Sequence, residues 1–218
     1  MSNLQLVQRA AVELFAERGY TATGIRDIAR RVGLTSAALY HYTGGKELLL
    51  VGVMRDSLIE MHDRGRQAVE FSDDPVIQLA RLVKMHVGVQ AFNPCSARVT
   101  DSEVRSLTSA NRAVVVGLRD KYEGIWQRVL DGGVRSGAFE ITDTRIARLA
   151  VLETCNGVVN WFKPGGRLTV ATIQEQFVQL ACRMAGARLV TPAECGAEVP
   201  VSRFSFEPDA TPEFLMTA

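Results

Sequence analysis

The sequence predicts an all-α protein, with an N-terminal three-helix helix-turn-helix unit followed by a larger helical domain. Three observations lead there. Apolar residues recur at helical spacing through most of the 218 residues, with no convincing β alternation and no internal repeat. Glycines, prolines and small hydroxyl or acidic residues punctuate those runs where helix ends need them. Two of the runs, 25–32 and 36–43, are short and separated by a turn that begins with Gly33, which is helix-turn-helix spacing.

In chain order, Leu6, Val7, Ala10, Ala11, Leu14 and Phe15 make a broad apolar stripe that stops at Gly19. Ile25, Ile28, Ala29 and Val32 then fall at i, i+3, i+4 and i+7, one face of a short helix. Thr23 stands where its N-cap is wanted, and Asp27 puts negative charge near its first turn. Gly33 can take the left-handed conformation that stops this helix. Leu34 turns inward, Thr35 or Ser36 caps the next helix, and Ala38 and Leu39 pack. Thr35, Ser36, Ala37, Tyr40 and His41 are left facing out. Gly44 and Gly45 end that helix.

Lys46 opens a long run over 46–70 carrying Leu48, Leu49, Val51, Val53, Met54, Leu58 and Met61. A cation there opposes the helix dipole, and a phosphate held by Lys46 and the first-turn N–H groups would explain it. Ser72-Asp73-Asp74-Pro75 starts a helix that Asn93-Pro94 ends, and a further segment covers roughly 97–107. Residues 109–136 form a long helix with Tyr122, Ile125, Trp126 and Val129 along it. Gly137-Ala138-Phe139 turns the chain. Thr142 or Asp143 caps a helix to about Phe162, Pro164-Gly165-Gly166 breaks it, and Thr169 caps the last one through about Arg188. The remaining stretch contains Pro192, Pro200, Pro208 and Pro212 and is expected to be irregular or partly disordered. The expected division is a reader at 1–48, a helical domain at 49–188 and an acidic tail at 189–218.

The second helix of such a unit can enter a DNA major groove. Small residues on its outer face allow close approach to base edges, and hydroxyl and imidazole groups can bond bases or phosphates. The alternative is an exposed helical hairpin with no nucleic-acid partner. Net charge is only +1, so no chain-wide basic field argues for DNA. The distribution is more telling. Residues 1–55 carry seven basic against four acidic side chains, and residues 189–218 carry one against five, the pattern of a chain that meets DNA at one end.

The run Ala-Val-Glu-Leu-Phe-Ala-Glu-Arg-Gly-Tyr at 11–20 is followed by Thr23, Ile28-Ala29, Gly33-Leu34, Leu39-Tyr40-His41-Tyr42 and Lys46-Glu47-Leu48-Leu49. From residue 4 to about 50 this resembles the DNA-binding domain of the TetR family of transcriptional repressors. The resemblance implies a double-stranded operator as partner. Thr23, Tyr40 and Lys46 would be phosphate contacts, Thr35, Ser36, Ala37 and His41 would form or border the base-reading surface, and Tyr42 would complete the set. Thr43 stands where the family usually has phenylalanine, and Gly45 where it usually has a serine or aspartate cap. The same resemblance makes the rest of the chain a ligand-binding and dimerisation domain. It pairs the helices at about 143–162 and 169–188 with those of a second copy through positions such as Ile146, Leu149, Val158, Ile173, Phe177 and Leu180. The alternative for these side chains is the subunit's own core, and different faces of one helix can serve both.

Trp161, an aromatic, a cation, Pro164-Gly165-Gly166, Leu168 and Thr169 resemble a subset of these repressors that answer to acyl-CoA thioesters, as does the Gly137-Ala138-Phe139 turn. By that resemblance Trp161 lines a cavity and Lys163 or Arg167 approaches CoA phosphates. The alternative is a core tryptophan beside a solvated helix end. Asn156 and Asn160 depart from the sterol-fragment regulators of that subset, so a different effector is expected. Polar residues facing a helical cavity are ligand candidates because burial without partners is costly. That pool is His86, Arg98, Glu103, Asn111, Arg119, Asn156 and Asn160, joined by Trp126 and Trp161.

The expected function is a ligand-responsive repressor, a homodimer on a palindromic operator, released by a small effector of the acyl-CoA class. The runner-up senses a drug-like or aromatic hydrophobic molecule, and the third is a helical interaction protein that binds no DNA. An enzyme is not expected: there are three histidines, His41, His62 and His86, and no nucleophile elbow, phosphate loop or metal-ligand cluster. No cofactor or metal is expected. Cys95, Cys155, Cys182 and Cys195 show no CxxC spacing and read as reduced thiols. No apolar run has membrane-spanning length, and the N-terminus reads as an amphipathic helix, so a cytoplasmic protein without a membrane partner is expected.

Overall fold

The computed structural model describes residues 2–196 and 200–209. Glu198, Pro212 and Glu213 of the expected acidic tail lie outside them. The described residues contain helices and no strand. The helices are α1 (Asn3–Arg18), α2 (Ile25–Arg31), α3 (Ser36–Thr43), α4 (Lys46–Val69), α5 (Pro75–Phe92), α6 (Pro94–Ser102), α7 (Ser109–Arg135), α8 (Thr144–Asn156), α9 (Val158–Trp161) and α10 (Val170–Met184), with a 3-10 turn at Val104–Ser106.

Local signals account for most of the boundaries. The Ser2 hydroxyl accepts the Gln5 N–H and the Gln5 side chain returns to the Ser2 N–H, a complete capping box on α1. Thr35 accepts the Ala38 N–H at 3.1 Å to start α3, Asp143 accepts from Arg145 and Ile146 to start α8, and Thr169 accepts from Thr172 to start α10. Gly33, at φ +68°, makes the left-handed turn between α2 and α3.

Four boundaries differ from expectation. The N-cap of α2 is Gly24, whose N–H donates to Asp27 Oδ2 at 3.0 Å; Thr23 is drawn into the interior. α5 ends at Phe92 ahead of Asn93-Pro94 as expected, but the next helix starts at Pro94 and not near residue 97, because the fixed φ of proline suits a first turn where no N–H is needed. The helix expected over 143–162 divides at Gly157, whose own dihedrals stay helical (φ −56°, ψ −19°) while α8 ends at Asn156 and the chain continues as α9. A glycine inside a helix costs about 1 kcal/mol relative to alanine, which makes this the weak point. α10 stops at Met184, short of Arg188, and Gly186 is left-handed at φ +61°.

The structure divides into two compact units. The first gathers the chain up to Ile59, Asn93–Leu118 and the described residues from Arg203. The second gathers Glu60–Phe92 and Arg119–Ser202. In the first unit α1 packs against α2, α3 and α6. Val7, Ala11, Leu14 and Phe15 meet Ile28, Ala29 and Leu39, all at most 2% exposed. Burying a side chain such as Leu39 contributes roughly 2 kcal/mol, and it is the only fully buried residue of α3. In the second unit α5 lies along α10 and touches α8 and α9. Leu79, Leu82, Ile125, Leu130, Val151, Ile173 and Val178 are buried there.

Within the second unit the segment after α10 is fastened by arginines. Arg188 bridges Asp74 at 2.8 Å and Glu194 at 2.6 Å. Arg81 donates to the carbonyls of Ala68 and Cys195, and Arg64 donates to the Pro200 carbonyl and the Ser202 hydroxyl.

Candidate nucleic-acid interface

α3 is held by its inner side and open on its outer one. Leu39 anchors it, and the Thr43 hydroxyl closes its last turn by donating to the Leu39 carbonyl at 2.9 Å. Thr35, Ala37, Tyr40, His41 and Tyr42 are exposed and Ser36 is half-buried. Tyr40 is 53% exposed and Tyr42 48%, high for aromatic rings without a partner chain. The His41 ring meets Tyr42 edge-on at 6.0 Å between centroids. Thr35 combines its capping bond with exposure, so its hydroxyl stays at the surface. The outer face is thus a compact set of hydroxyl, methyl, phenol and imidazole groups on one short helix.

The junction behind α3 explains both departures noted in the sequence. Gly45 sits at φ +125°, a conformation that a serine or aspartate cap would strain. A side chain there would also approach the Tyr40 ring, whose nearest atom lies 3.6 Å from the Cβ position. The Thr43 hydroxyl accepts the Gly45 N–H at 3.3 Å and serves the cap instead.

Thr23 and Lys46 are more occupied than expected. The Thr23 hydroxyl, 1% exposed, donates toward the Leu14 and Gly19 carbonyls, and its N–H goes to the Tyr20 carbonyl. The Lys46 ammonium folds back from α4 to the Tyr20 and Thr23 carbonyls, both at 2.9 Å, and lies 4.1 Å above the Tyr20 ring. Burial lowers its pKa, and Glu103 opposes that shift. Two of its three donors are therefore committed and one remains. Those carbonyls answer the question of a cation at a helix start: Lys46 ties α4 to the α1–α2 corner.

Glu103 completes the corner. Its carboxylate accepts the Tyr20 N–H at 3.1 Å and the Ser106 hydroxyl at 2.7 Å. Glu47 accepts the Thr108 N–H and hydroxyl and the Asn111 amide, all at 2.7–2.8 Å, and these bonds hold its carboxyl below the usual range. Arg98 lines a surface cleft beside Phe15, Gly19, Ser102 and Glu103. Three members of the ligand pool, Arg98, Glu103 and Asn111, thus work inside the first unit.

Sequence reasoning overlooked Arg26. It is exposed near the start of α2, and among the described residues it makes no ion pair, whereas Arg30 pairs with Asp27 and Arg31 with Glu13. Its place just off the apolar stripe was a readable signal.

The second unit holds a buried polar cluster. His86 of α5, 1% exposed, accepts from the Tyr122 hydroxyl at Nδ1 (2.7 Å) and donates from Nε2 to Asn156 Oδ1 (2.8 Å). Gln90 reaches the same Asn156 oxygen at 3.0 Å. Trp126 meets His86 edge-on at 5.7 Å. Burial depresses the His86 pKa to about 4, with the Asn156 bond opposing, so the ring is neutral at pH 7. Burial raises the Tyr122 phenol and takes the Cys155 thiol up to about 12, so neither ionises. Among the described residues Gln90 Oε1 and Trp126 Nε1 find no hydrogen-bond partner, an unmet acceptor and an unmet donor in a closed interior.

Of the expected ligand pool, His86, Trp126 and Asn156 are brought together. Tyr122 and Gln90 were missed, although each lies four residues from a chosen one, Gln90 after His86 and Tyr122 before Trp126. Arg119 on α7 is half-buried, and Asn160 is exposed. Trp161 is 44% exposed and stacks on Phe177 at 6.0 Å. All four cysteines are free and buried. No metal-binding group of His, Cys, Asp or Glu exists among the described residues, and no described helix is long and apolar enough to cross a membrane.

Comparison with known proteins adds independent findings. Residues 8–53 match the model of bacterial regulatory proteins of the tetR family. Residues 72–185 match a tetracyclin repressor-like C-terminal domain. The HTH-type transcriptional repressor KstR2 of Rhodococcus jostii is 30% identical over 172 residues, covering 78% of this chain and 84% of its own. The fatty acid metabolism regulator protein of Bacillus subtilis is 24% identical over 173 residues, 78% of this chain and 89% of its own. The crystal structure of a tetR-family regulatory protein from Rhodococcus RHA1 superposes with a TM-score of 0.80 at 29% identity, covering 86% of this chain and 100% of that one.

Proposed function

Because the chain belongs to the TetR family of bacterial regulatory proteins, we propose that it is a repressor that binds an inverted-repeat operator through α3 and releases it when a small effector enters the second unit. The exposed outer face of α3, carried on an otherwise packed three-helix scaffold, is the observation that bears most weight. In this reading Thr35, Ser36, Ala37 and His41 meet base edges, while Tyr40, Tyr42 and Arg26 meet the phosphate backbone. Lys46 gives its remaining N–H to a phosphate. Thr23, with every donor committed, positions Lys46 through its carbonyl.

The buried cluster is the proposed seat of the effector's polar group. It contains no cation, and its unmet groups are one donor, Trp126 Nε1, and one acceptor, Gln90 Oε1. Such a seat suits a neutral group, for example a thioester carbonyl accepting from Trp126, with the phosphates of a CoA left outside. The relative named as a fatty acid metabolism regulator supports an acyl-CoA effector. The same neutral, aromatic lining favours the second reading, a drug-like or aromatic hydrophobic molecule.

Two exposed apolar positions on α8, Ile146 and Leu149, and two on α10, Leu180 and Met184, supply a face for a second copy. A dimer sets two copies of α3 about one DNA turn apart.

The test starts from duplexes selected by the protein out of a random pool. An inverted repeat with half-sites one turn apart is expected. Arg26→Ala should weaken every duplex alike and lower the salt slope by about one, whereas His41→Ala should change which duplex wins. Adding saturated and branched acyl-CoAs, free CoA and planar aromatics to the complex then decides the effector class. Selection of no duplex overturns the regulator reading, and release by aromatics alone overturns the thioester.

A further inference from the structure

We infer that the C-terminal segment Arg203–Asp209 is a clamp on α6, and that its closure sets how firmly the first unit holds the reader. The segment lies outside both matched family regions, the later of which ends at residue 185. It nonetheless carries a carboxylate into the interior. Glu207 is 2% exposed. Its two oxygens accept the N–H groups of Cys95 and Ser96 at 2.8 and 3.0 Å, and Oε2 also accepts the Ser96 hydroxyl. These are the first-turn N–H groups of α6, which have no partners within the helix and favour an anion.

Neighbouring contacts hold the clamp in place. The Phe204 N–H donates to Asn93 Oδ1 at 2.6 Å, just ahead of α6. The Phe204 and Phe206 rings, both buried, lie 5.4 Å apart. Arg203 donates to the Pro208 and Asp209 carbonyls and closes the segment on itself. Arg9 of α1 pairs with Asp209 and also reaches the Ser205 carbonyl.

A second glutamate, the C-cap residue of α6, carries the connection onward from the other end of the helix. At its C-terminal end Glu103 holds the Tyr20 N–H, and the Tyr20 carbonyl holds Lys46 at the start of α4, directly behind α3. Polar contacts therefore run from Glu207 through α6 to the base of the reader, all inside the first unit.

Burying the Glu207 carboxylate carries a cost. Removing a carboxylate from water is costly, and here the cost raises the Glu207 pKa despite its donors. The Arg9–Asp209 pair adds little, because the Asp209 side chain is 86% exposed.

Hydrogen exchange on the full chain tests this directly, comparing the unaltered protein with Glu207→Gln and with the milder, exposed Asp209→Ala. The amide in Glu207→Gln turns a donor toward groups that already donate. Exchange across residues 93–102 is expected to rise about tenfold in Glu207→Gln and less in Asp209→Ala, with residues 75–92 unchanged. Affinity for a duplex selected by the unaltered protein should fall at least threefold in Glu207→Gln. Exchange within twofold of the unaltered protein at 93–102 would overturn the clamp, and so would faster exchange there with unchanged affinity. Should the unaltered protein select no duplex, the regulator reading and the link to affinity both fail, and the exchange arm alone decides whether Glu207 grips α6.

Discussion

His86 shows how one buried side chain carries a measurable signature. Its pKa is about 4 in the folded protein and about 6.5 when solvated. The folded value is the lower, so the unfolded chain binds the extra proton between those limits. The contribution to stability is complete above pH 6.5 and is lost as pH falls toward 4. Between pH 7 and pH 5 the loss should be about 2 kcal/mol. Urea unfolding of the protein and of His86→Gln at those two pH values checks it: the variant should lack this part of the pH dependence. Equal dependence in both would mean that His86 titrates in the fold as it does in water. The residue itself was legible in the sequence, since a histidine on an apolar helical stripe invites suspicion. Its partners were not. Tyr122 and Asn156 come from helices 36 and 70 residues away, and only packing brings them there. Thr23 failed for a related reason: a threonine before a helix looks like a cap, but the end of α1 offers its hydroxyl two carbonyls at closer quarters.

At the scale of helices, boundaries set by local chemistry were readable, and those set by competition were not. The starts of α3, α8 and α10 each depend on one hydroxyl or carboxylate beside its own backbone; Thr169 was foreseen singly, and Thr35 and Asp143 each as one of two candidates. The break between α8 and α9 depends on whether Gly157 continues a helix or interrupts it, and spacing alone does not weigh that. The structure makes the position testable. Gly157 has φ −56° and ψ −19°, which alanine adopts without strain, and a Cβ would meet only the Thr154 and Glu153 carbonyls at 3.4 and 3.5 Å. Gly157→Ala should therefore stabilise the protein by about 0.4–1 kcal/mol, chiefly by narrowing the unfolded ensemble. A thermal melt reads this as a small rise in Tm. A fall would show that the break at Gly157 requires glycine.

For the whole molecule the open question in the sequence was whether α8 and α10 fill their own core or meet a second copy. The structure separates the two by face. Val158 and Ile173 are 0% and 2% exposed, whereas Ile146 is 65%, Leu149 50% and Leu180 46% exposed. Three large aliphatic side chains left in water on two helices are costly for a monomer, and a twofold partner would cover them. Paired helices would then join two copies of α3 in one molecule, and a duplex with two half-sites would reward that through effective concentration. Leu149→Glu combined with Leu180→Glu should place like charges across the proposed interface and leave the buried faces intact. Sedimentation should then show monomer at micromolar concentration with an unchanged helical circular-dichroism signal. Affinity for a selected inverted repeat should drop about a hundredfold, while affinity for a single half-site stays the same. A variant that remained dimeric would place the interface on other elements, and a monomeric variant with undiminished affinity would show that α3 reads its site without a partner.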